Sequence, residues 1–142
     1  MKHDFTGQEG LDMGSGTGVL AIIAVKQGAS HVDAVDIDQW AYENSVENIA
    51  ANDAQGRVTP ILGDVSVIGG KVYDFIVANI NRNILLADMG AYAGALNPGG
   101  LLIMSGILEK DIPAITAKAT SAGLHTERTS LRDGWAAAVV TK

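Results

Sequence analysis

At 142 residues, 47% of them hydrophobic and 18% charged, the chain is the size of one ordinary domain and too apolar to be disordered. A formal net charge of −6 argues against the basic footprint that nucleic acid or an anionic membrane surface requires. The absence of cysteine removes disulfides, thiolate-bound zinc, iron–sulfur clusters and a cysteine nucleophile.

No apolar run approaches the roughly 20 residues of a membrane span. The opening residues, MKHDFTG, lack the apolar segment of a signal peptide, so the cytoplasm is the expected compartment. Short apolar runs then alternate with helical patterns. A strand over 10–13 leads into a glycine-rich loop. Val19, Leu20, Ile22, Ile23 and Val25 mark a helix over 19–27, with Gly28 placed to stop it. Residues 32–37 read as a strand, and Asp38 can cap a helix running to about 52. Its packed stripe is expected at Ala41, Val46, Ile49 and Ala50, with Glu43 and Glu47 facing water.

Strands over 57–62 and 73–80 follow. The second contains Phe75-Ile76-Val77-Ala78, apolar on both faces as a covered parallel strand requires. A helix over 83–96 stops at Asn97-Pro98-Gly99-Gly100, and a strand over 101–104 comes next. A helix over 111–122 tolerates Pro113 only in its first turn. Segments 124–129 and 135–140, joined by a turn containing Asp133-Gly134, read as an antiparallel pair. Repeated strand–helix units imply a parallel sheet with right-handed crossovers. The expected fold is α/β and Rossmann-like: a seven-stranded, mostly parallel sheet with helices on both faces and a C-terminal antiparallel hairpin. Ligands of such sheets lie beyond the carboxyl ends of the strands.

The run Asp12-Met13-Gly14-Ser15-Gly16-Thr17-Gly18 sits between a strand and a helix, the context in which glycines let a backbone turn and approach a ligand. A dinucleotide fingerprint, G-x-G-x-x-G, would place its third glycine at Val19. A nicotinamide-dependent oxidoreductase is therefore the disfavoured class. Asp36 ends the second strand about twenty residues further on, where a carboxylate can accept hydrogen bonds from both hydroxyls of a ribose. Helix capping, its alternative role, falls better to Asp38. Asp64 follows the third strand in a Gly-Asp pair that also suits a turn. Asn79 ends the fourth strand, at the ligand edge or as a plain strand-terminating turn. Asn81 and Asn83 read as weaker candidates or helix caps. His3, His31 and His125 show no metal-ligand spacing, so no metal is expected. Trp40 and Trp135 read as packing residues, and Ser105-Gly106 as a turn or a substrate contact.

The order acid-x-Gly-x-Gly-x-Gly resembles the first motif of class I S-adenosylmethionine-dependent methyltransferases. Over its whole length the chain resembles the methyltransferase domain of ribosomal protein L11 methyltransferases. The stretches that carry this are LDMGSGTGVLAI (11–22), AVDID (34–38), VANI (77–80), LNPGGLLIMSGIL (96–108) and Trp135-Ala136. The resemblance implies transfer of methyl groups from S-adenosylmethionine, leaving S-adenosylhomocysteine, to lysine side chains and an N-terminal amine of a large-subunit ribosomal protein. It implies that Asp12, Gly14 and Gly16 flank the methionine part of the cofactor, Asp36 the ribose and Asp64 the adenine. Asn79 would lie against the cofactor and orient the reacting amine, and Trp40 could shield an adenine edge.

Family members also carry an N-terminal substrate-recognition domain, a linker and a glycine- and histidine-containing segment before the first strand. None of these has a counterpart in residues 1–142, which are therefore expected to be one N-terminally truncated methyltransferase domain. Such a domain is expected to expose an apolar sheet face near Leu11 and Phe5 and to self-associate through it. The alternatives are a class I methyltransferase acting on a small molecule or another protein, and a cofactor-holding fragment that methylates nothing.

Overall fold

The computed structural model describes residues 4–142, so His3 lies outside the described residues. The chain divides into two compact units, the first ending at Val67 and the second running from Ile68 to Lys142.

The first unit alternates β1 (Glu9–Met13), α1 (Val19–Lys26), β2 (His31–Asp36), α2 (Gln39–Ala51) and β3 (Val58–Leu62). Its strands lie in the order β3-β2-β1 and are all parallel. The register sets Asp12 beside Ala34 and Asp36 beside Leu62. Val32, Ala34 and Val35 are all buried, as expected for a parallel strand with neighbours on both sides. Asp38 caps α2, its carboxylate accepting the Trp40 amide at 2.8 Å. Arg57 donates to the carbonyls of Val25 at 2.7 Å and Ala29 at 2.6 Å, tying down the end of α1.

The packed stripe of α2 differs from expectation. Ala41, Ser45 and Ile49 are buried, whereas Val46 and Ala50 face outward. The spacing i, i+4, i+8 makes one straight helical face. Ser45 can occupy its middle because its hydroxyl donates to the Tyr42 carbonyl at 2.8 Å, so no polar group is left unsatisfied.

The second unit contains β4 (Tyr73–Asn79), α3 (Arg82–Gly94), β5 (Leu96–Leu108), α4 (Ile112–Ser121), β6 (His125–Arg132) and β7 (Trp135–Thr141). Its strand order is β4-β5-β7-β6, with β4 and β5 parallel and the last two pairings antiparallel. Phe75, Ile76 and Ala78 are buried as the apolar run predicts. Pro113 sits in the first turn of α4, where its missing N–H costs nothing.

Asn97-Pro98-Gly99-Gly100 is not the turn expected after α3. That helix already ends at Gly94, and β5 begins at Leu96. The four residues are a bulge inside β5. The register moves from Tyr73↔Leu96 to Phe75↔Leu101, and Asn97 donates to the Asp74 carboxylate at 3.1 Å. Ser105-Gly106 likewise lies inside β5 rather than in a turn. Three further corrections concern burial. Trp40 and Trp135 are 67% and 57% exposed, so neither is a packing residue. Tyr73, Phe75 and Tyr92 are the aromatic core of this unit instead. Leu11 is fully buried and Phe5 half-buried, so no open apolar face lies at those residues.

Candidate functional site

In the first unit, β1 delivers Asp12 to the start of the glycine loop. Gly14, Gly16 and Gly18 all adopt left-handed φ, at 72°, 59° and 80°, a conformation that glycine enters without the penalty of a Cβ. The loop is held against β2 by the Gly14 and Ser15 amides, which donate to the Val35 carbonyl at 2.9 and 3.0 Å. The Gly16 amide donates to Asp36 Oδ2 at 2.8 Å, and the Asp38 amide donates to Asp36 Oδ1 at 2.9 Å. Asp36 therefore shapes the loop as well as standing at the end of β2. Each carboxylate oxygen keeps a second lone-pair direction for a further donor.

The glycines differ in what surrounds them. A Cβ on Gly18 would lie 3.0 Å from Ser45 Cβ, so this glycine allows α1 to begin close against α2. A Cβ on Gly16 would meet nothing within 4 Å. The space beside Gly16 is open, as a ligand approaching the backbone would need.

Asp12 is only 2% exposed, and neither carboxylate oxygen has a well-aligned hydrogen-bond partner among the described residues. The buried Ser15 hydroxyl is unpartnered too. Burial, seconded by the Asp36 charge, pushes the Asp12 carboxyl up to about 7, and the Ala21 amide in the first turn of α1 is the one influence pulling it down. Orphaned buried polar atoms are rare in native proteins. Three such atoms, on Asp12 and Ser15, gather at one glycine loop, an arrangement that the donors of an incoming ligand would complete. An ammonium or sulfonium group suits this carboxylate, because a positive charge offsets the cost of ionising it.

Asp64 stands apart from that arrangement. It is exposed, and its Oδ1 accepts the Ser66 amide at 2.9 Å and the Ser66 hydroxyl at 2.6 Å. These bonds hold its carboxyl below the usual range, the hydroxyl contributing most. The turn geometry considered for this residue is present, and an exposed acid beyond the end of β3 remains compatible with a ligand role.

In the second unit, Asn79 is the exposed last residue of β4 and pairs in register with Ser105 of β5. Asn81 caps α3, accepting the Ile84 amide at 3.0 Å, while Asn83 accepts from the Arg82 guanidinium at 3.2 Å. Arg82 also faces Asp111 at 3.6 Å. Arg82, Lys110, Asp111, Trp135 and the backbone of Gly106 line a cleft. Of the histidines, His31 approaches Asp33 at 3.1 Å and Thr59 at 2.9 Å, and His125 is exposed. Among the described residues no group of three His, Cys, Asp or Glu could hold a metal ion, and no helix is long and apolar enough to cross a membrane.

The sequence profile of ribosomal protein L11 methyltransferases (PrmA) matches residues 2–142. The chain belongs to this family. It is 46% identical over 138 residues to the ribosomal protein L11 methyltransferase of Phocaeicola vulgatus, covering 96% of this chain and 49% of that protein. The counterpart from Porphyromonas gingivalis is 48% identical over 138 residues, covering 96% and 47%. The chain thus spans about half the length of these curated relatives. The crystal structure of the ribosomal protein L11 methylase from Lactobacillus delbrueckii subsp. bulgaricus superposes with a TM-score of 0.86 at 30% identity, covering 96% of this chain and 71% of that one. A methyltransferase from Pyrococcus furiosus, 19% identical with a TM-score of 0.82, shares the fold. The expected class, a seven-stranded methyltransferase sheet with a C-terminal antiparallel pair, is borne out.

Sequence reasoning placed Asp12, Gly14, Gly16 and Asp36 around one loop, and the structure brings these four together. It missed Gly18 as a packing requirement and gave Asp36 no part in building the loop. A signal was available for Gly18: a third glycine in the loop, directly before an apolar helix, asks for close packing of that helix.

Proposed function

We propose that residues 1–142 act as one S-adenosylmethionine-binding methyltransferase domain that methylates amino groups of the large-subunit ribosomal protein L11. Lysine side chains and the N-terminal amine are the acceptors, and the compartment is the cytoplasm, where such a substrate would be met. Membership of the family supports the substrate. The single observation that carries the chemistry is the orphaned Asp12 carboxylate beside the open face of Gly16, with Asp36 fastened to the same loop.

S-adenosylmethionine supplies a methyl group activated by a sulfonium, and the protein supplies binding and orientation. Asp36 accepts from the ribose hydroxyls while its bond to Gly16 keeps the loop in shape. Asp12 faces the cationic methionine portion, which Gly14 and Gly16 allow to approach the backbone. Asp64 receives the adenine amine. A lysine ammonium, with a reference pKa near 10.4, has no lone pair and must first lose a proton. Asn79 then accepts a hydrogen bond from the neutral amine and directs its lone pair. An amide does not act as the base, so this residue orients and does not deprotonate.

Calorimetric titration with S-adenosylhomocysteine tests the reading. Saturable binding that Asp36→Ala weakens is expected, followed by transfer of labelled methyl groups to L11. A folded chain that binds NAD and not S-adenosylhomocysteine would sink it.

A further inference from the structure

Gly106 interrupts β5 at the point where that strand passes Asn79. Its φ is +75°, in the left-handed region. The β5–β7 register slips between Met104 and Ile107, so Ser105 and Gly106 form a β-bulge, a device that re-aims backbone and side chains next to functional sites. A Cβ built on Gly106 would overlap Asn79 Oδ1, with Asn79 Cγ 3.5 Å away. The glycine is thus required twice, once by its backbone conformation and once by the neighbour that fills its side-chain space.

These requirements can be separated. Gly134, in the β6–β7 turn, has nearly the same φ, +82°, yet nothing lies within 4 Å of the Cβ it would gain. Gly134 carries the conformational demand alone, and Gly106 carries that demand plus Asn79. An exposed asparagine has a broad, loosely defined χ2 and by itself would point its amide in several directions. Its oxygen occupies the space that a Cβ on Gly106 would take, so this one direction is open only while residue 106 has no side chain. Gly106 also lines the cleft formed with Arg82, Lys110, Asp111 and Trp135.

We propose that Gly106 is a positioning residue for methyl transfer: its missing Cβ leaves the seat that the Asn79 side-chain oxygen occupies, and with it the direction from which an acceptor amine is held. This rests on the reading of Asn79 as the amine-orienting residue. In-line attack tolerates little misalignment, and a displacement of about 1 Å costs on the order of a hundredfold in rate. A methyl group on Gly106 would force the oxygen to move, because the nearest atoms that the new Cβ meets are those of Asn79.

The test compares Gly106→Ala with Gly134→Ala, each with and without Asn79→Ala. Gly106→Ala should lower the melting temperature more than Gly134→Ala does, and the excess should vanish in the Asn79→Ala background. The Asn79 side-chain amide resonances, assigned by their loss in Asn79→Ala, should move in Gly106→Ala and stay in place in Gly134→Ala. With L11 as acceptor, Gly106→Ala should lower kcat about a hundredfold with little change in KM and less than a twofold change in S-adenosylhomocysteine affinity. Equal melting losses in both backgrounds, or an unmoved Asn79 amide, would overturn the seat. A normal kcat in Gly106→Ala, when Asn79→Ala is impaired, would overturn the positioning role. If the unaltered chain transfers no methyl group to L11, the acceptor reading fails and takes the positioning role with it, while the melting cycle still decides the seat.

Discussion

Asp12 in the first unit and Asn79 in the second are both polar residues close to the end of a parallel strand, and they are held in opposite ways. Asp12 is buried with no hydrogen-bond partner for its carboxylate. Asn79 is exposed, with its oxygen in the space that a Cβ on Gly106 would take. The first arrangement stores an unmet electrostatic demand, which a charged ligand answers. The second stores none and restricts direction, which suits a residue that aligns a reactant. The two polar groups thus differ in kind: the first unit buries a carboxyl without a partner, and the second leaves an exposed amide in a space that only a glycine keeps free.

The sharpest way to break this contrast is to remove the carboxylate that supports the first arrangement. Asp36→Ala loses the anchor of the Gly16 amide and both acceptors for a ribose. Two charge-assisted bonds at about 1.5 kcal/mol each put the loss of S-adenosylhomocysteine affinity at about a hundredfold by calorimetry. A loss below threefold would show that Asp36 shapes the loop and does not touch the ligand.

The unmet demand of Asp12 has a pH signature. A carboxyl whose folded value is about 7 against an ordinary 3.8 keeps its proton in the folded protein when the unfolded chain has already lost it. Stability therefore falls as pH rises between those values, and the fall is complete above about pH 7. Between pH 5 and pH 8 the contribution is about 3 kcal/mol, at 1.36 kcal/mol per unit. Urea unfolding should show this decline in the unaltered protein and a much flatter profile in Asp12→Asn. Asp36→Asn, which removes the neighbouring charge, should end the decline at a lower pH. Burial is the larger cause of the shift, so most of it should survive.

The loop glycines make a smaller contrast of the same kind. Gly16→Ala meets only the left-handed penalty, about 1 kcal/mol, and should leave a folded chain with weakened cofactor binding. Gly18→Ala meets that penalty and the Ser45 side chain at 3.0 Å. It should therefore lose more stability in thermal melts, and equal losses would show that α1 and α2 can shift apart.

Much of this was legible in the sequence where a local rule decides. The alternation of apolar runs and capped helices located the seven strands and four α-helices, though not the short 3-10 helix Val65–Ile68, because periodicity and caps are encoded within a few residues. The glycine loop and Asp36 could be placed for the same reason. What the sequence hid depends on neighbours distant along the chain. Asn97-Pro98-Gly99-Gly100 has the composition of a turn, and it becomes a bulge because the Lys142 amide and carbonyl bond to Gly100 and Gly99. Ser45 reads as polar surface until its hydroxyl finds the Tyr42 carbonyl. The isolation of Asp12 and the pairing of Gly106 with Asn79 arise from packing, and no spacing rule announces either.

Asp64 gives the smallest expected effect and the finest test of the contrast, because it shares neither condition. Its carboxylate is exposed and already satisfied by Ser66, so it stores no electrostatic demand, and water can replace any bond it makes. Asp64→Ala should leave the melting temperature nearly unchanged and weaken S-adenosylhomocysteine binding only a few-fold, on the scale of one net hydrogen bond. Ser66→Ala frees the carboxylate from its strongest local donor and should leave binding equal or slightly tighter. A hundredfold loss in Asp64→Ala would mean that an exposed acid can matter as much as the arrangement around Asp36. Burial would then not be what separates binding residues from bystanders in this loop region.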